Sequence, residues 1–82
     1  MFEVYSMIAK QIGRVADDLM DNSLEYEWAR YSLIVINEGV DDEELSSLIK
    51  TFASDFELRG NRLALKLYDI SSNFYAKAKN SL

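Results

Sequence analysis

A chain of 82 residues makes one domain, and 49% apolar against 28% charged residues is a globular composition. The lack of cysteine and histidine excludes disulfides, thiolate chemistry, histidine-based triads and the common zinc sites, and no apolar run approaches the ~20 residues of a membrane span. The net charge of −5 is unevenly placed: from Asp17 to Glu57 twelve acids stand against Arg30 and Lys50, a net of −10, whereas from Arg59 to Leu82 five bases stand against Asp69, a net of +4.

A chain charged in this way can pair its own two halves, or present an acidic face to a basic partner. The opening "MFEVYSMIAKQIGR" has no basic stretch before its apolar residues and carries Glu3 among them, so it does not read as a signal peptide. With no cysteine to staple a small domain, the expected setting is a reducing cytoplasm. There is no proline to interrupt long helices.

In the first segment Tyr5, Ile8, Ile12, Val15 and Leu19 step by three and four, which is one helical stripe. Phe2, Ala9, Ala16 and Met20 widen it. Gly13 weakens the helix by about 1 kcal/mol relative to alanine and permits close packing. "DDLMDNS" ends the segment, and Asn22 is placed to cap the next helix, with Glu25 three residues on as the returning carboxylate.

The second segment, "SLEYEWARYSLIVINEG", carries Leu24, Trp28, Tyr31 and Val35 at steps of four, three and four. "YSLIVI" alone would pass for a strand, but the residues ahead of it are helical in composition and keep the same phase. Trp28 and Tyr31 are therefore expected in the core. Tyr26, Leu33 and Ile36 are the apolar residues off that stripe, and so the candidate partner-binding residues. Gly39 sits where a C-terminal cap is expected.

"VDDEEL" reads as a helix start: Asp41 as the cap, Glu44 closing a capping box, and four carboxylates at the positive end of the helix dipole. Leu45, Leu48, Ile49, Phe52, Ala53 and Phe56 follow at helical spacing. "LRGNR" (58–62) then offers three courses: a break between two helices, one long bent helix, or a hairpin around Gly60-Asn61. The break ranks first and the hairpin last, because Ala64 to Leu67 contain no β-branched residue. The final stripe runs through Leu63, Leu67, Ile70, Phe74 and Ala78.

Two acidic clusters invite a metal reading. "DDLMD" matches the DDxxD pattern by which isoprenoid synthases hold magnesium, and on a helix Asp17 and Asp21 share a face. Those enzymes enclose long apolar substrates, which 82 residues cannot do. "NEGVDDEE" invites comparison with all-α nucleotide pyrophosphohydrolases, but carboxylates from a second helix to complete such a site are not evident. A helix–turn–helix with residues 42–54 as recognition helix would push Asp42, Glu43 and Glu44 toward phosphates, which is strongly unfavourable.

The expectation is an all-α fold: a compact antiparallel four-helix bundle in one domain, residues 1–82, with helices near 2–20, 23–38, 42–58 and 62–79, the last two either separate or one long bent helix. The expected function is non-catalytic: a small acidic cytoplasmic module, of the size and character of bacterial or phage adaptors, inhibitors and secretion chaperones. It would bind a protein partner or a second copy of itself, and is expected to be a homodimer, with no cofactor, no metal, no nucleic acid and no membrane. The alternative is a magnesium-dependent all-α phosphohydrolase using Asp17, Asp21 or the 41–44 cluster.

On these grounds Trp28→Ala would cost about 3–5 kcal/mol as a core truncation, and Tyr26→Ala would weaken association while leaving the monomer folded. The far-ultraviolet dichroism spectrum should be dominated by helix. A substantial strand component would contradict the bundle and favour the hairpin.

Overall fold

The structure, a computed structural model, describes residues 2–21, 23, 25–51 and 61–81. The described residues form four helices: α1 (Phe2–Met20), α2 (Tyr26–Glu38), α3 (Glu43–Thr51) and α4 (Asn61–Asn80). The fold is all-α, a four-helix bundle. Residues 52–60, with most of the "LRGNR" fork and the end of the third stripe, lie outside the described residues.

α1 and α4 form the principal pair, and they run antiparallel. Tyr5 lies beside Phe74, with ring centroids 6.1 Å apart. Further along α1 the Tyr68 hydroxyl donates to the Asp17 carboxylate. Between these contacts the Ser71 hydroxyl donates to the Ala9 carbonyl at 2.7 Å. A side chain as short as serine reaches a neighbouring backbone only when the two helices lie close. Small residues make that approach feasible: Ala9 and Ala16 on α1, and Ala64, Ser71 and Ala78 on α4, are all buried and recur every seven residues. A β-carbon added to Gly13 would meet the Ser71 oxygen at 3.4 Å, which is ordinary contact.

The core closes around this pair. Ile12, Leu33, Leu45, Leu63, Leu67 and Phe74 are its largest fully buried side chains, so every helix contributes. α1 and α4 bury the stripes expected of them. The two edge residues Phe2 and Met20 stay exposed.

The α2–α3 corner differs from the expected capping. Asp42, not Asp41, is the N-cap of α3: its Oδ1 accepts from the Leu45 N–H at 2.9 Å, and its carbonyl accepts from the Ser46 N–H at 2.9 Å. Asp41 instead occupies the left-handed region, with φ of 52°. The physical reason is Asn37. Its carbonyl accepts from the Asp41 N–H at 2.7 Å, its Oδ1 accepts from the Asp42 N–H at 2.8 Å, and its Nδ2 donates to Ser46 Oγ at 2.7 Å. This grip turns the chain one residue later than expected. Gly39 is the C-cap of α2 as expected, in ordinary right-handed backbone with φ of −85°. Glu44 does not close a capping box; its carboxylate accepts from Asn73 Nδ2 at 3.0 Å.

The opposed charges of the two halves do meet. Lys77 lies 3.0 Å from Asp42 Oδ2 and 4.7 Å from the Phe74 ring centroid, tying the start of α3 to the end of α4. Together with Glu44–Asn73, this pairing sets α3 antiparallel to α4. Burial pushes the Asp42 carboxyl up. The Leu45 N–H, the hydrogen bond and charge of Lys77 and the Glu44 N–H outweigh burial and hold it below the ordinary aspartate range. That stabilisation is complete above about 3.9, the unfolded aspartate value. It fades as pH falls through the lower folded value.

At the start of α2, Glu25 occupies the cap position without a side-chain hydrogen bond, and the helix begins at Tyr26 rather than at 23. Asn22, the expected cap, lies outside the described residues.

Asp42→Ala should cost about 1 kcal/mol in denaturant melts at neutral pH, within the usual cap range. Asp41→Gly should stabilise by up to about 1 kcal/mol, because glycine relieves the left-handed strain. The opposite order, with position 41 the sensitive cap, would contradict the corner. Gly13→Ala should stabilise by about 0.5–1 kcal/mol, since the added methyl fits and the helix gains propensity.

Candidate protein-interaction groove

Two open grooves of about 720 Å³ each flank α1, so size does not distinguish them. The groove between α1 and α4 is polar. Its wall includes Lys10, Arg14, Asp17, Tyr68, Ser72 and Tyr75. Part of that polarity is internally satisfied by the Tyr68–Asp17 hydrogen bond. Its acceptor carboxylate, then burial, then the charges of Asp17 and Asp21 raise the Tyr68 phenol above the ordinary tyrosine range. This contact supports the fold below the unfolded tyrosine value of about 10 and is lost as pH rises through the higher folded value.

The groove between α1 and α2 is mainly apolar. Val4, Ile8 and Val15 come from α1, and Trp28, Tyr31 and Val35 from α2. Val4 lies at the end where Gly39 and Val40 close the groove, and Asp18 at the Trp28 end, as two antiparallel helices require. Trp28, Tyr31 and Val35 are 62%, 60% and 66% exposed. The two rings lean on each other at 6.1 Å, and Ser32 donates its hydroxyl to the Trp28 carbonyl one turn back at 2.9 Å.

This inverts the face expected of α2. Leu33, expected to meet a partner, is 0% exposed and belongs to the core. Tyr26 and Ile36, also expected outward, are half-buried and packed against the core. Trp28 and Tyr31, expected inside, stand outside. The cause is shape. Tyr26, Ala29, Leu33 and Ile36 step by three, four and three, so α2 carries two helical stripes. Ala29 at the centre of the second is fully buried. A helix meeting its neighbours through alanine and leucine comes close; one meeting them through tryptophan is held off. The sequence contained a signal for this choice: Glu27, Ser32 and Glu38 border the aromatic stripe.

Three of the carboxylates considered for magnesium, Asp17, Asp42 and Glu44, are engaged otherwise. Asp17 accepts from Tyr68, and Asp42 caps α3 and pairs with Lys77. Among the described residues no three acidic groups converge on one point, and no described helix is long and apolar enough to cross a membrane. No family model, no curated protein and no solved structure matches the chain.

Leu33→Ala should cost about 2–5 kcal/mol, whereas Trp28→Ala should change stability by less than about 1 kcal/mol. Thermal and denaturant melts of the two variants check the face directly. A Trp28→Ala variant that loses several kcal/mol would return the aromatic stripe to the core.

Proposed function

We propose that this chain is a non-catalytic protein–protein interaction module whose working surface is the α1/α2 groove. One observation carries it: a tryptophan, a tyrosine and a valine stand exposed side by side along an apolar groove between two helices. Large exposed apolar patches mark interaction sites, and aromatic anchors supply much of the binding energy at protein interfaces. Two antiparallel helices with a groove between them offer the geometry that a third helix fills. The structural engagement of Asp17 and Asp42 supports a non-catalytic role. The absence of cysteine supports a reducing, cytoplasmic setting.

Selection from a peptide-display library against the full chain tests the groove. Enriched peptides should lose binding to Val35→Asp and Trp28→Ala, and keep it to Leu65→Asp, a substitution of an exposed residue on α4. Peptides that bind Val35→Asp as well as wild type would move the surface elsewhere. A clear rise in melting temperature with magnesium would contradict the non-catalytic role.

A further inference from the structure

The groove's own charges select its occupant. Glu27 and Glu38 are both exposed on α2 and lie eleven residues apart, near one another in angular position and about 16 Å apart along the axis. They border Tyr31 on the outer edge of the groove. Asp18 adds a carboxylate at the Trp28 end, and Arg14 is the one cation among the lining residues. The chain from Asp21 to Glu44, which holds α2 and both its flanks, has eight acids against Arg30, a net of −7. The floor is apolar and both ends are acidic.

We propose that the occupant is an amphipathic helix of a partner protein, with an apolar stripe about three turns long and lysine or arginine at both ends. This rests on the groove being the binding surface. The apolar stripe would cover Trp28, Tyr31 and Val35, and the terminal cations would lie against Glu27 and Glu38. A second copy docked through the same face would bring one acidic edge against another, and like charges brought together at an interface are unfavourable. Lys77 of α4 is committed to Asp42, and no residue of α4 lines this groove.

Trp28 is the only tryptophan and lies in the groove, so its emission reports occupancy. The full-length protein is titrated with two synthetic amphipathic peptides of about 18 residues, lacking tryptophan and sharing one leucine–isoleucine stripe. One has lysines at both ends and the other glutamates. The lysine peptide should shift Trp28 emission to the blue saturably and bind at least about ten-fold tighter than the glutamate peptide, a difference of about 1.4 kcal/mol. The gap should narrow in high salt. It should reverse in the Glu27→Lys, Glu38→Lys double variant, and Val35→Asp should abolish binding. Equal binding of the two peptides, abolished by Val35→Asp, would overturn the basic occupant and keep the groove. A dimer in sedimentation that neither peptide dissociates would replace the partner helix with a second copy. A monomer whose Trp28 emission neither peptide moves would overturn the groove itself.

Discussion

The close approach of α1 and α4 is the constraint on which the other positions depend. Its marker is the Ser71 hydroxyl on the Ala9 carbonyl, 2.7 Å away and buried. That carbonyl has a second lone pair beyond the one used in its own helix, so the contact costs α1 nothing and satisfies a buried hydroxyl. With alanine and serine recurring every seven residues on facing helices, α4 occupies one flank of α1 along most of its length. Tyr68 then reaches Asp17, and Lys77 reaches Asp42. α2 is left with the other flank, at Ile8 and Val15. Ala29 and Leu33 are fully buried there, and the indole of Trp28 stays in solvent.

Apolar periodicity identifies the buried face where a helix carries one stripe, and leaves it open where two compete. α1 and α4 each carry a single apolar stripe, and the buried residues follow it from Ile8 to Leu19 and from Leu63 to Ala78. α2 carries two, and periodicity alone does not rank them. The 4-3-4 spacing of Leu24, Trp28, Tyr31 and Val35 points to the aromatic stripe, whereas packing takes the stripe with Ala29 at its centre. The structure therefore places Leu33 in the core with Tyr26 and Ile36 half-buried against it, and leaves Trp28, Tyr31 and Val35 exposed. The corner at residues 37–46 was misjudged for another reason. "VDDEEL" contains two adjacent aspartates able to cap, and Asn37, five residues upstream of Asp42, decides between them through hydrogen bonds that no local pattern announces.

The inversion strengthens the case for an interaction surface on α2. A helix with one stripe in its own core and a larger, aromatic stripe in solvent has more apolar surface than its fold uses. Evolution of a small domain has no folding reason to keep tryptophan there, since exposed large apolar groups promote association. Net charge of −5 opposes indiscriminate aggregation. In the proposed binding mode apolar area would give affinity, and the acids bordering the groove would select the partner.

The orientation of α2 is the claim on which the groove stands, and the single tryptophan reads it without mutation. Acrylamide quenching is measured on dilute wild-type protein, at a concentration where sedimentation gives a monomer and dichroism shows the helices intact. An emission maximum close to that of tryptophan in water, quenched nearly as readily as the free amino acid, is the predicted result. A blue-shifted emission that resists quenching in that folded monomer would contradict it.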